Sequence, residues 1–309
     1  MKCKKPKLLQ PGDKVALIAP SSPLPNQKDL KQCIAGVERL GLEVKEYPTL
    51  HKREDFMAGT PKQRARDVEK AFQDKQCAGI LCMRGGYSAG HTLPLVDWKA
   101  IGKTKKFFGG FSDITTILTA MATQSRLAAL HAITMSFNTK QSKETDITFE
   151  ALKRFLFEEW SGISYREVCG KHFKPKSLRR GKARGTIIGG NAAVFAGLVG
   201  TPVMPKRGPL LLFLEDVGEN PYKLDRYVTQ LIQSGFMDRV AGVILGQFTG
   251  CDPKKPDKWD ALDVMKRQCH PLKIPVLAGL PIGHDRPSYP LPIGVEAEVD
   301  ADKGDLRLL

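Results

Sequence analysis

The stretch Phe107-Phe108-Gly109-Gly110-Phe111-Ser112-Asp113-Ile114 decides how this chain is read. Its apolar, glycine-bearing first half reads as a buried strand, and Ile114, Ile117, Leu118 and Met121 behind it recur at helical spacing. Ser112 therefore stands at a strand-to-helix junction, outside the carboxyl end of a strand, where open α/β sheets hold their ligands. A helix N-terminus adds N–H groups and partial positive charge that stabilise a developing oxyanion. Those are the needs of a nucleophilic serine. The commoner role of a serine before a helix is an N-cap, so position alone does not assign the nucleophile.

Working outward, short apolar strands alternate with amphipathic helices. Val15 to Pro20 is a strand ending in the turn Ser21-Ser22-Pro23, followed by a helix over Asp29 to Leu40 and a strand over Leu42 to Glu46. A helix from Pro61 to Phe72 starts with a proline suited to its first position. The strand Gly79 to Met83 opens into Arg84-Gly85-Gly86-Tyr87-Ser88-Ala89-Gly90, and a further strand lies near Leu127 to Leu130. Such alternation implies a mostly parallel sheet covered on both faces. Residues 138–184 read as a connecting segment with a helix from Phe149 to Trp160. A second unit follows, with strands at Gly185 to Gly190, Leu210 to Leu214, Val240 to Leu245, Val276 to Gly279 and Val295 to Val299. Its helices cover Ala192 to Val199 and Pro221 to Ser234. The expected organisation is an N-terminal α/β domain over 1–137, the connection, and a C-terminal domain over 185–309.

Composition narrows the function classes. A chain of 309 residues is long for one core, which favours two domains. The net charge of +15 would attract an anionic partner. Yet no zinc finger, RNP-like aromatic motif or helix-turn-helix accompanies it, and the densest basic stretch, Lys171 to Arg184, has Phe173 as its one aromatic. A solvated basic surface with no nucleic-acid partner is the expectation. No run of eighteen apolar residues is present, so no membrane span is expected. The basic N-terminus lacks an apolar core and a cleavage site, which argues against secretion. The seven cysteines, odd in number and without a CxxC pair, point to free thiols in a reducing cytoplasm.

Three further segments bear chemistry. The glycines of Arg84-Gly85-Gly86-Tyr87 permit N–H groups to turn toward a bound oxygen, although a simple tight turn explains them as well. Leu211 to Leu214 leads directly into Glu215-Asp216-Val217-Gly218-Glu219, where a carboxylate could orient a histidine or simply form a turn. Pro281-Ile282-Gly283-His284-Asp285-Arg286-Pro287 is a rigid loop with one histidine, and imidazole titrates near neutral pH. His51, His172 and His270 have poorer contexts, while His91 and His131 remain minor competitors. Ser112, Glu215 and His284 in that order make a charge-assisted nucleophile. The GxSxG elbow does not fit, because Ile114 stands where glycine is needed. No HExxH, EF-hand loop or Cys/His cluster offers a metal site.

Together these segments resemble the LD-carboxypeptidase family of serine peptidases. The resemblance runs through Pro11 to Ser22, Arg84 to Tyr87, Phe111 to Thr115, Gly189-Gly190-Asn191, Gly200-Thr201-Pro202, Phe213 to Glu219, Tyr222, Asp225-Arg226, Pro281 to His284 and Leu291 to Ala297. It implies Ser112 as nucleophile, His284 as general base, Glu215 as its orienting acid, and the N–H groups of Gly86 and Asp113 as the oxyanion hole. It also implies an α/β domain similar to class I glutamine amidotransferases, followed by a smaller swivelling C-terminal β/α domain. A homodimer without cofactor or metal is implied, acting in the cytoplasm on muropeptide tetrapeptides from cell-wall recycling. Arg84 is a candidate for the substrate carboxylate, since an arginine fork matches it, though a surface salt bridge would account for it equally. Two departures bear on the substrate pocket: His131-Ala132-Ile133 stands where many members read His-Gly-Pro, and Ser288 stands near a position often held by Asn. Two alternatives stay open. One resembles the microcin C immunity peptidases, which cleave peptide-nucleotide conjugates; the other is a non-catalytic module binding an anionic ligand.

Overall fold

Val15–Ile18, Gly79–Cys82 and Phe107–Gly110 are buried along their whole length, as strands are when helices cover both faces of a parallel sheet. The computed structural model describes residues 3–134, 142–255 and 257–309. The chain divides into two compact units, Cys3–Glu159 with Pro290–Pro292, and Trp160–Tyr289 with Ile293–Leu309. Of the segment expected as a connection, residues 142–159 fall in the first unit and 160–184 in the second; its first residues, 138–141, lie outside the described residues.

The first unit comprises β1 (Lys14–Ile18), α1 (Gln27–Arg39), β2 (Glu43–Glu46), α2 (Pro61–Gln73), β3 (Gly79–Cys82), α3 (Trp98–Ile101), β4 (Phe107–Gly110), α4 (Thr115–Ala120), β5 (Ala129–His131) and α5 (Lys143–Phe157). The order across the sheet is β2-β1-β3-β4-β5, with a further edge strand, Leu291–Ile293, beside β5. The pairs among β1 to β5 are parallel. Successive connections leave β1 and β3 in opposite directions, which opens a crevice beyond their carboxyl ends. Local chemistry sets the helix starts. Thr60 and Gln63 form a reciprocal capping box around Pro61 at the head of α2, and Ser142 caps α5 by accepting from the Thr145 N–H. Phe72 of α2 stacks on Phe108 of β4 with ring centres 5.8 Å apart, both buried. Each such buried phenylalanine contributes about 1.5–3 kcal/mol. The helix expected after Ser112 begins as a 3₁₀ turn over Ser112–Ile114 before α4, and ends in a π turn over Met121–Ser125.

The second unit comprises α6 (Tyr165–Cys169), β6 (Lys176–Arg179), β7 (Lys182–Asn191), α7 (Ala192–Ala196), β8 (Leu210–Val217), α8 (Pro221–Gln233), β9 (Val240–Thr249), α9 (Ala261–Cys269) and β10 (Val276–Ala278). After β11, the Leu291–Ile293 strand already placed, come β12 (Glu296–Asp300) and β13 (Asp305–Leu308). The seven-stranded sheet runs β13-β12-β7-β8-β9-β10-β6. It is mixed. β7 to β10 are parallel, while β6 runs antiparallel on β10, β12 on β7 and β13 on β12. β6, β11 and β13 are three or four residues each, too short to show a period in sequence. Among the described residues no helix is long and apolar enough to cross a membrane.

Candidate active site

Ser112 lies two residues beyond the last residue of β4 and holds a left-handed backbone, φ +61°. A non-glycine residue there is strained, and such strain persists only where the surroundings over-determine it. The surroundings are visible. Gly85 packs so closely that a Cβ on it would lie 2.9 Å from the Ser112 Cβ and 3.1 Å from the Phe111 carbonyl oxygen. The loop after β1 is tied to the same glycine turn. The Ser22 N–H donates to the Gly85 carbonyl at 3.2 Å, and the Ser22 hydroxyl accepts from the Tyr87 N–H at 3.1 Å. Gly86 has φ +108°, and a side chain on it would overlap Ser22.

Asp113 turns its carboxylate inward. It accepts from the Ser21 hydroxyl at 2.5 Å and the Ala89 N–H at 2.7 Å. Burial pushes its carboxyl up, against those bonds and the nearby Arg64 charge. Arg64, fully buried on α2, donates to the carbonyls of Pro20 (3.0 Å), Ser88 (2.7 Å) and Gly59 (3.2 Å) and to the Ser88 hydroxyl (2.8 Å). One guanidinium thus ties together the loops after β1 and β3. Nothing in the sequence marks Arg64, because most of its partners are backbone carbonyls and those of Pro20 and Ser88 are remote in the chain. Arg84 donates to the Pro23 carbonyl at 2.8 Å. Of the minor candidates, His91 is exposed edge-on to the Tyr87 ring, and His131 is buried edge-on to Phe111.

In the second unit Glu215, fully buried near the end of β8, places Oε2 2.7 Å from Nδ1 of His284. A carboxylate accepting at Nδ1 fixes the tautomer with its proton there and leaves Nε2 as the basic nitrogen. The loop carrying His284 approaches β8 and β9 so closely that a Cβ on Gly283 (φ +147°) would lie 2.9 Å from the Glu215 Oε2. Ser288 both accepts from the Gly283 N–H (3.2 Å) and donates to its carbonyl (3.0 Å). Gln247 accepts from the Asp285 N–H (3.0 Å) and donates to the Pro287 carbonyl (3.3 Å).

The neighbouring acids take other roles. Asp216 accepts from the Asn191 amide (2.9 Å) and from the N–H groups of Ala193 (2.9 Å) and Val217 (2.8 Å), which joins the ends of β7 and β8. Its carboxyl is pushed up to about 6, chiefly by burial, with Glu215 beside it adding to the shift. Glu219 pairs with Lys223 at 3.0 Å on the first turn of α8. The structure therefore brings Glu215, and not Glu219, to His284. Ser112, Gly86, Asp113 and Arg84 belong to the first unit; Glu215 and His284 belong to the second. Among the described residues no group of three or more His, Cys, Asp or Glu side chains could hold a metal ion.

Comparison with known proteins places this architecture. Residues 15–132 match the LD-carboxypeptidase N-terminal domain and residues 184–299 its C-terminal domain. A Synechocystis protein named "Putative carboxypeptidase" is 37% identical over 302 residues, 97% of this chain and 96% of that protein. A Bacillus subtilis protein named "Probable murein peptide carboxypeptidase" is 34% identical over 297 residues, 96% of this chain and 91% of that protein. The solved structure of MccF in complex with glutamyl sulfamoyl guanosine superposes with a TM-score of 0.90 at 22% identity, covering 100% of this chain and 98% of that one, a likeness of fold. With both domain signatures in order along the chain and relatives matched nearly end to end, this protein belongs to the LD-carboxypeptidase family.

Proposed function

We propose that this protein is a serine carboxypeptidase that removes the terminal D-Ala of a murein tetrapeptide, where that residue is joined to the L-centre of diaminopimelate or lysine. The observation that carries the reading is the 2.7 Å contact between the wholly buried Glu215 carboxylate and Nδ1 of His284. A buried carboxylate on one imidazole nitrogen is the arrangement that makes the other a general base and stabilises the imidazolium formed during attack. In this reading Nε2 of His284 takes the Ser112 proton as Oγ attacks the scissile carbonyl. The N–H groups of Asp113 and Gly86 receive the oxyanion. His284 then gives its proton to the departing D-Ala amine, and water resolves the acyl-enzyme on Ser112. Arg84 is assigned to the substrate carboxylate, for which its planar fork is suited.

The murein peptide named for the Bacillus subtilis relative supports the substrate class. All seven cysteines are free, which suits a reducing compartment and a role in cytoplasmic recycling of wall peptides. Mass spectrometry of tetrapeptides ending in D-Ala or L-Ala tests the reading. Loss of one residue from the D-Ala peptide alone is the expected result. No cleavage of either, with cleavage of an aminoacyl-sulfamoyl nucleotide in a parallel reaction, would replace it by a nucleotide-conjugate peptidase.

A further inference from the structure

β8 and β9 pair in parallel, but their register slips beside Glu215. Leu214 is opposite Leu245, whereas Asp216 is opposite Phe248, so two steps along β8 span three along β9. The extra residue falls at Gly246-Gln247. A bulge re-aims both the backbone and the side chain of the strand that carries it. Here the Gln247 N–H leaves the β8 ladder and donates to the Ile282 carbonyl at 2.9 Å. The Gln247 side chain reaches further along the same loop, to the Asp285 N–H and the Pro287 carbonyl. Three bonds from one residue thus bracket His284, one before it in the chain and two after.

We propose that Gln247 is the positioning residue of His284: its bulged backbone and its amide fix the loop from Ile282 to Pro287, and with it the direction in which Nε2 points while Nδ1 stays on Glu215. The chemistry singles out glutamine. The position demands one acceptor and one donor at the end of a two-methylene stem. Glutamate offers no donor to Pro287, lysine no acceptor to Asp285, and asparagine is a methylene short. The Gly283 backbone lies against the Gln247 stem, since a Cβ there would sit 3.0 Å from the Gln247 Cβ, so the clamp leaves no space in which the loop could shift toward β9. The proposal rests on the reading of His284 as general base.

The decisive variant is Gln247→Met, which keeps the stem and bulk but removes both polar atoms. Three measurements on the full chain are compared with wild type: kcat and KM for the tetrapeptide, the rate of labelling by a serine-reactive phosphonate, and the proton resonance of the His284 Nδ1–H, assigned by its loss in His284→Ala. The expected result is a fall in kcat and in labelling rate on the order of 10²-fold, as small misplacements of a catalytic group produce, with KM little changed and the resonance shifted or broadened. A folded Gln247→Met that labels at the wild-type rate with an unchanged resonance overturns the proposal. Should that variant not fold, Gln247→Glu, which keeps the acceptor toward Asp285, is judged by the same readouts. If His284→Ala itself labels as fast as wild type, the general-base reading fails, and the placement by Gln247 is then decided on the resonance alone.

Discussion

Glu215, near the end of β8, and Glu219, on the connection to α8, lie four residues apart, and the structure gives them different partners. Glu215 is buried on Nδ1 of His284, whereas Glu219 pairs with Lys223 in a partly exposed contact. Glu215→Gln should keep the fold and lower turnover by about 10² to 10⁴, because an amide cannot stabilise the imidazolium. Glu219→Gln should stay near wild type, since its partner Lys223 lies in solvent, which screens the pair. Parallel steady-state kinetics decide the matter, and the reverse pattern would transfer the acid's role to Glu219. Ser112→Ala should fold and lose about 10⁶ in turnover, the cost of deleting the nucleophile of a comparable triad; a residual tenth of wild-type activity would remove Ser112 from that role. Ser112, Glu215 and His284 stand out in the sequence as candidates because each lies near the end of an apolar strand or in a proline-fixed loop. Arg64 and Gln247 do not, because what they bind is backbone that sequence leaves unmarked.

At the scale of elements, the junction of β4 with its helix depends on how closely the loop after β3 approaches it. Gly85→Ala would set a methyl 2.9 Å from the Ser112 Cβ. Overpacking of this kind costs about 1–3 kcal/mol, and displacing Ser112, the proposed nucleophile, should cost turnover on the order of 10²-fold. Melting temperature and kcat measured together test this, and a variant with both unchanged would show that the approach is not constrained. The ends of β7 and β8 meet at Asp216, whose carboxyl, pushed up to about 6 from 3.8, binds a proton more readily in the folded chain than in the unfolded one. Its contribution is therefore fully present below about pH 4 and is lost as pH rises through about 6. The difference in melting temperature between wild type and Asp216→Asn should shift in that direction across the window and be flat above it. A difference that moves the opposite way would contradict the burial argument. The continuous apolar runs of β1, β3, β4 and β8 were readable as strands. The bulge in β9 was not, because it exists only in the pairing of two strands, and neither strand's own residues announce it.

For the molecule as a whole, the net charge of +15 is a source of long-range attraction for an anionic ligand. The basic stretch from Lys171 to Arg184 is in part neutralised where it lies: Lys182 meets Asp300 at 2.8 Å, Arg184 meets Glu298 at 2.6 Å, and Arg180 meets Asp302 at 4.0 Å. A net positive potential raises the local concentration of an anionic peptide and speeds its encounter. Such attraction acts over distance and is screened by salt, whereas the buried Glu215–His284 pair is not. Raising ionic strength from about 0.01 M to about 1 M shortens the Debye length from about 30 Å to about 3 Å. For a net-anionic tetrapeptide KM should then rise on the order of 10-fold while kcat holds. A matched peptide that keeps its terminal carboxylate but carries glutamine in place of its other acid should respond less steeply. If KM is indifferent to salt for both peptides, the basic surface plays no part in substrate capture, and recognition of the carboxylate rests on contacts inside the site alone.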